Sequence, residues 1–149
     1  GTLKDIRRLS MQISARNQIM GVVEKISHGA VNAEVQIKLK SGNSLVSIIT
    51  NTATENLELN IGDEVIAVIK SSNVLLSTEN EMKLSARNCI KGVIEGINQG
   101  EVNSEVVINI GNEDKMVTII TTNSIKNMNL KVGTKVNAII KASDIMIGR

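Results

Sequence analysis

Ser14-Ala15-Arg16-Asn17 recurs 71 positions later as Ser85-Ala86-Arg87-Asn88. The same shift carries Gly29 to Gly100, Val31-Asn32 to Val102-Asn103, Glu34-Val35 to Glu105-Val106, Ile48-Ile49-Thr50 to Ile119-Ile120-Thr121, Gly62 to Gly133 and Ile69-Lys70 to Ile140-Lys141. A match of this length without a gap means one structural unit used twice, with loops as well as core retained. The two units run over residues 11–76 and 82–147, joined by a short polar stretch around Ser77 to Glu81. Residues 1–10 read as a tag remnant or as the junction to a missing N-terminal region, because the chain opens on Gly1-Thr2 rather than Met.

Within a unit the hydrophobic period is mostly two. Val35, Ile37 and Leu39 alternate with Glu34, Gln36, Lys38 and Lys40, the pattern of a strand with one wet face. Ile19 to Ile26 and Leu45 to Ile49 read as strands as well. Thr50 to Leu57 suits a short helix, Gly62-Asp63 a turn, Glu64 to Lys70 a fourth strand and Val74 to Ser77 a fifth. The expected class is all-β: two tandem OB-like five-stranded barrels, each with a short helix between strands 3 and 4. Val65-Ile66-Ala67-Val68-Ile69 is apolar on both faces, and so is Ala138-Ile139-Ile140. A unit of about 70 residues has little interior for both faces of a strand, so a subunit interface or packing between the copies is expected to cover the outer one.

Composition removes several function classes. The 149 residues include no Phe, Tyr, Trp or Pro, and the formal net charge is +2. A rival reading, an OB-fold nucleic-acid-binding module, needs a basic groove and rings on which bases stack, and neither is present. Cys89 stands alone, which excludes an internal disulfide and a thiolate metal cluster and fits a reducing, cytoplasmic setting. His28 is also single, so the chain offers no imidazole metal site, and no repeated His, Cys or Asp suggests a catalytic nucleophile. Glu24 and Glu34 read as ordinary strand-surface residues. No apolar run approaches the ~18 to 20 residues of a membrane span, and the chain's start lacks a secretion-signal pattern. The expectation is a binding protein, not an enzyme, with no cofactor and no membrane or direct nucleic-acid contact.

The polar positions common to both copies are Ser14, Arg16, Asn17, Glu24, Asn32, Glu34, Thr50, Asn56, Lys70 and Ser72 with their partners. Among them Ser, Arg, Thr, Lys and Ser supply two fixed positive charges and three hydroxyls, which are anion-binding groups. Solvated strand ends are the plain alternative for Arg16 and Lys70.

Ser-Ala-Arg-Asn before a strand, Gly29-Ala30-Val31-Asn32-Ala33-Glu34-Val35, Ile49-Thr50 and Ile69-Lys70-Ser71-Ser72 resemble the Mop domain of molbindins, and the second copy matches through Gly100 to Val106 and Ile140-Lys141-Ala142-Ser143. The resemblance covers nearly all of residues 11–147 in a tandem, di-Mop arrangement. It implies OB-like barrels that associate through exchanged strands, as a homodimer or homotrimer, and bind molybdate or tungstate at interfaces. It places one oxyanion site on Ser14, Ala15, Arg16, Thr50, Lys70, Ser71 and Ser72, and its counterpart on Ser85, Ala86, Arg87, Thr121, Lys141, Ala142 and Ser143. Ala142 lacks the hydroxyl of Ser71. A second kind of site would draw on Gly29, Val31 and Asn32 and on Gly100, Val102 and Asn103, where Glu101 replaces Ala30 and would repel a dianion. Two settings follow: a molybdate storage protein, or the sensor half of a molybdate-responsive transcription regulator, whose junction the stretch Ile6 to Gln12 resembles and whose DNA-binding domain would precede Leu3. The tail of a molybdate importer's ATPase is a third place where such pairs occur.

Overall fold

The computed structural model describes residues 16–78 and 87–149, with Arg87 in its backbone only. Ser14, Ala15, Ser85, Ala86 and the stretch Ile6 to Gln12 lie outside the described residues. The first half contains β1 (Arg16–His28), β2 (Asn32–Leu39), β3 (Ser44–Thr50), the helix α1 (Asn51–Asn56), β4 (Glu64–Lys70) and β5 (Leu75–Ser77). The second half repeats it with β6 (Arg87–Gln99), β7 (Asn103–Gly111), β8 (Asp114–Thr121), α2 (Thr122–Asn127), β9 (Lys135–Lys141) and β10 (Ile145–Gly148). A 3-10 turn precedes each last strand, Ser71–Asn73 and Ala142–Asp144. The expected strands and helices are present in the expected order.

The period-two pattern translates directly into burial. Along β1, Asn17, Ile19, Gly21 and Val23 point inward while Arg16, Gln18, Met20 and Val22 face out. At Glu24 the β1–β2 register slips by one residue, a bulge that its counterpart Glu95 repeats between β6 and β7. Each helix begins at a threonine whose hydroxyl accepts a backbone N–H three residues on, Thr50 from Ala53 at 3.0 Å and Thr121 from Ser124 at 3.1 Å. Gly21 leaves room for β2 beside it: a Cβ there would run into the Ile37 side chain and lie 2.9 Å from the Lys38 carbonyl oxygen. Gly92 occupies the same position against Ile108 and Asn109.

The fifth strands do not close their own sheets. One sheet has the order β10-β4-β1-β2-β3 and the other β5-β9-β6-β7-β8, so each half donates its last strand to the other. Buried hydroxyls fix the exchanged segments: Ser47 donates to the Ile145 carbonyl at 2.6 Å, and Thr118, its repeat partner, to the Val74 carbonyl at 2.5 Å. Neither hydroxyl is exposed to water. The aliphatic interior, including Val35, Ile37, Ile69, Val106, Ile108, Met116 and Ile140, forms one continuous cluster through both halves.

The doubly apolar strands differ in how their outer faces are covered. In β9, Ile139 is buried, whereas Ile66 and Val68 of β4 are only half-buried. Met20 is paired with Ile66 and Met146 with Val68, and these two methionines are 54% and 47% exposed. An apolar strip therefore faces outward on the first sheet.

Candidate functional site

Arg16 and Lys70 are direct antiparallel partners at one end of β1 and β4, and Arg87 and Lys141 hold the same register in the second half. Cross-strand partners carry side chains on one face with Cβ atoms about 4.5 to 5.5 Å apart, where like charges are destabilising. No described carboxylate forms an ion pair with Arg16, Lys70 or Lys141; the ion pairs among the described residues join Lys115 to Glu95 and Arg149 to Asp63. Two exposed cations held side by side, with no ion-pair partner among the described residues, are groups suited to attract an anion. The chain then turns at once into Ser71–Asn73, with no side chain capping the first N–H groups of that turn. Ser71 is buried and Ser72 exposed, and in the second half Ala142 is buried and Ser143 exposed. Position 71 thus accepts either side chain in the same packing.

Thr50 lies elsewhere. It pairs with Asn32, beside the His28 end of β1. His28 lies twelve positions along β1 from Arg16, roughly 40 Å of curled strand at ~3.3 Å per residue. Its hydroxyl caps α1 and keeps its hydrogen for another acceptor. Within the described residues of one chain, Arg16, Lys70, Ser71 and Ser72 come together and Thr50 does not join them. Thr121 caps α2 in the same way, with the Ser124 hydroxyl 2.7 Å away.

The loops of the second expected site are braced by hydrogen bonds of their own. Gly29 N–H donates to the Asn32 carbonyl at 2.7 Å, Asn51 N–H to the Val31 carbonyl at 2.9 Å and Asn51 Nδ2 to the Gly29 carbonyl at 2.9 Å. His28 Nδ1 lies 2.9 Å from Asn51 Oδ1, so the single histidine belongs to this turn. In the second half Thr122 N–H bonds the Val102 carbonyl, and the Thr122 hydroxyl bonds the Gly100 carbonyl. Val31 and Val102 stand out at 70% and 71% exposure, and Asn32 and Asn103 are exposed beside them. In these loops the Gly29, Asn51 and Thr122 N–H groups are thus already engaged.

Three features escape a reading of the sequence alone. Asn17 and Asn88 point inward and bond the backbone of the other half. Their place in phase with Ile19 and Ile90 on the buried face is the signal that identifies them. Glu24, on its bulge, accepts from the Ser44 hydroxyl and from Gln36 Nε2, both at 2.7 Å, and these bonds hold its carboxyl below the usual carboxylate range. A cleft of about 1040 Å³ opens beside Arg16, with Met20, Val22 and Ile66 among its apolar residues and Lys38, Lys40 and Asp114 among its charged ones. Asp114 reaches it from the start of β8 in the second half, so only the three-dimensional packing reveals the cleft.

The TOBE domain model matches residues 13–76 and 84–147. Over 139 residues the chain is 40% identical to the molybdenum transport protein ModE of Azotobacter vinelandii, covering 93% of this chain and 52% of that protein. Over 146 residues it is 34% identical to the molybdenum-pterin-binding protein MopA of Rhodobacter capsulatus, covering 97% and 55% respectively. The chain thus spans about half the length of these relatives. A solved structure of the cytoplasmic molybdate-binding protein ModG, with molybdate bound, superimposes with a TM-score of 0.87 at 39% identity, covering 93% of this chain and 99% of that one.

Proposed function

The chain belongs to the TOBE-domain family, and from that premise we propose that it binds molybdate and tungstate at two cationic corners, one on Arg16, Lys70, Ser71 and Ser72 and one on Arg87, Lys141, Ala142 and Ser143. The observation that carries this reading is the unneutralised Arg16–Lys70 pair at the start of an uncapped turn. It suits a small, fully deprotonated dianion that only accepts hydrogen bonds. The names of ModE and MopA and the molybdate in ModG support the choice of oxyanion. Ser14, Ala15, Ser85 and Ala86 adjoin the two arginines in sequence and add backbone N–H donors in this reading.

The separation of Thr50 from Arg16 favours sites completed between copies of the chain. A second copy, laid against the outward strip of Met20, Ile66, Val68 and Met146, buries apolar surface, and in this reading its own Thr50 hydroxyl joins the serine hydroxyls of the corner. The assembled form is therefore the binding form. The ModE relatives are about twice as long as this chain, which supports its role as the oxyanion-sensing part of a regulator. Coverage of 99% of the ModG chain supports a second reading, in which a tandem pair alone stores the oxyanion.

Thermal unfolding with millimolar molybdate tests the proposal. A ligand at ~100 times its dissociation constant adds ~2.7 kcal/mol per site to the folded state, so the melting temperature rises. Arg16→Ala and Lys70→Ala each weaken binding at least about tenfold, since truncating one partner of a desolvated charge cluster costs about 2 to 5 kcal/mol. An unchanged melting temperature, or wild-type titration curves for both variants, returns Arg16 and Lys70 to the role of solvated strand ends.

A further inference from the structure

Resting on the oxyanion reading, we propose that the two corners are unequal and that Asp144 is the residue that weakens the second. The two turns have the same backbone. Lys70 and Lys141 enter them at φ/ψ of −62/133 and −64/132, and Val74 and Ile145 leave them at −97/115 and −97/116. What differs is the side chains: Ser71-Ser72-Asn73 in one turn and Ala142-Ser143-Asp144 in the other. Asn73 and Asp144 are the last residues of the single turns that Lys70 and Lys141 enter, three positions along the chain from each lysine. The turn after Lys70 ends on a neutral amide; the turn after Lys141 ends on a carboxylate.

Asp144 is half-buried, and no described cation lies within ion-pair distance of it. Its charge is therefore not taken up in an ion pair with a described residue and acts on whatever anion Lys141 holds. A negative charge within about one Debye length of a dianion lowers affinity by a small factor in salt water and by more at low ionic strength or in a partly desolvated corner. Ala142 acts in the same direction, replacing the Ser71 hydroxyl with a methyl group in an equally buried position. The chain consequently fills in two steps, with the Arg16–Lys70 corner loading at lower oxyanion concentration than the Arg87–Lys141 corner. Such a pair responds over a wider range of concentration than two identical sites.

Isothermal titration of the full chain with sodium molybdate reads this directly. Wild-type protein shows two classes of site whose affinities differ about tenfold or more. Asp144→Asn tightens the weaker class about tenfold and leaves the tighter class alone, and the reciprocal Asn73→Asp weakens the tighter class by a similar factor. A single class in the wild type, or a weaker class that Asp144→Asn does not move, overturns the assignment while leaving oxyanion binding intact. No molybdate binding by the wild type overturns the underlying reading and this inference with it.

Discussion

Asn17 and Val117 form a two-bond bridge between the halves: Asn17 Nδ2 donates to the Val117 carbonyl at 2.8 Å, and the Val117 N–H donates to Asn17 Oδ1 at 2.7 Å. The side-chain amide thus acts as one more peptide group at the side of β8. Asn88 makes the reciprocal bridge to Val46, at 2.9 and 2.7 Å. Truncating either amide leaves a backbone donor and acceptor unpaired where little water reaches, a loss of about 1 to 3 kcal/mol for each group stranded. Asn17→Ala and Asn88→Ala are therefore expected to lower the denaturation midpoint clearly, and the double variant more than either. Urea melts indistinguishable from wild type for both single variants would show that water replaces the bridges at no cost.

Gly21→Ala gives a second stability test. The added methyl group meets the Ile37 side chain and the Lys38 backbone, and overpacking of this kind costs about 1 to 3 kcal/mol. Gly42→Ala has open space around its Cβ but a φ of +91°, so its penalty comes from backbone strain alone. Circular-dichroism melts should show Gly21→Ala destabilised, and repacking Ile37 to Val in the same chain should recover part of the loss. Failure of the second change to help would place the strain on the Lys38 carbonyl instead.

Self-association is tested at Val68. If a second copy covers the outward strip, Val68→Asp puts an uncompensated charge into an apolar contact, which is strongly disfavoured. Sedimentation velocity should show an oligomer for wild type and a smaller species for Val68→Asp. A monomeric wild type at tens of micromolar, with molybdate present, removes the interface from the proposal.

Selectivity among tetrahedral anions follows from the donor-only character of the corner. Molybdate, tungstate and sulfate are fully deprotonated near neutral pH, whereas phosphate keeps a proton that needs an acceptor. Arg16 and Lys70 cannot accept, and the serine hydroxyls and turn N–H groups face the anion as donors. The mismatch costs phosphate about 1 to 3 kcal/mol when buried, and sulfate's shorter bonds leave a rigid ring of donors too far from its oxygens. In competition titrations tungstate should displace molybdate on nearly equal terms, sulfate weakly and phosphate hardly at all. Phosphate competing as well as tungstate does would identify a generic cationic patch.

The strands and the helices after β3 and β8 are legible because alternation at Val35, Ile37 and Leu39 and the cap at Thr50 are local properties of the chain. The exchange of β5 and β10 is not. Val74 to Ser77 has the same sequence whether it folds back on its own half or crosses to the other, and only the packing of Ser47 on Ile145 and Thr118 on Val74 distinguishes the two. At the candidate site, Arg16 and Lys70 stand out as repeated polar residues, and their adjacency depends on one strand pairing. The remoteness of Thr50 depends on two successive pairings, β1 with β2 and β2 with β3. A shared motif says nothing of that distance.

The pairing of β10 with β4 joins residues about 80 positions apart along the chain. During synthesis the first half reaches the ribosome's exit with an unpaired β4 edge and stays incomplete until Ile145–Gly148 has been made, so the two halves cannot mature in turn as independent domains do. Long-range closure of this kind slows folding and leaves an exposed strand edge waiting meanwhile. Loss of the last few residues would accordingly injure the sheet built from the beginning of the chain, and a nick between the halves would yield two fragments that still hold each other's final strand.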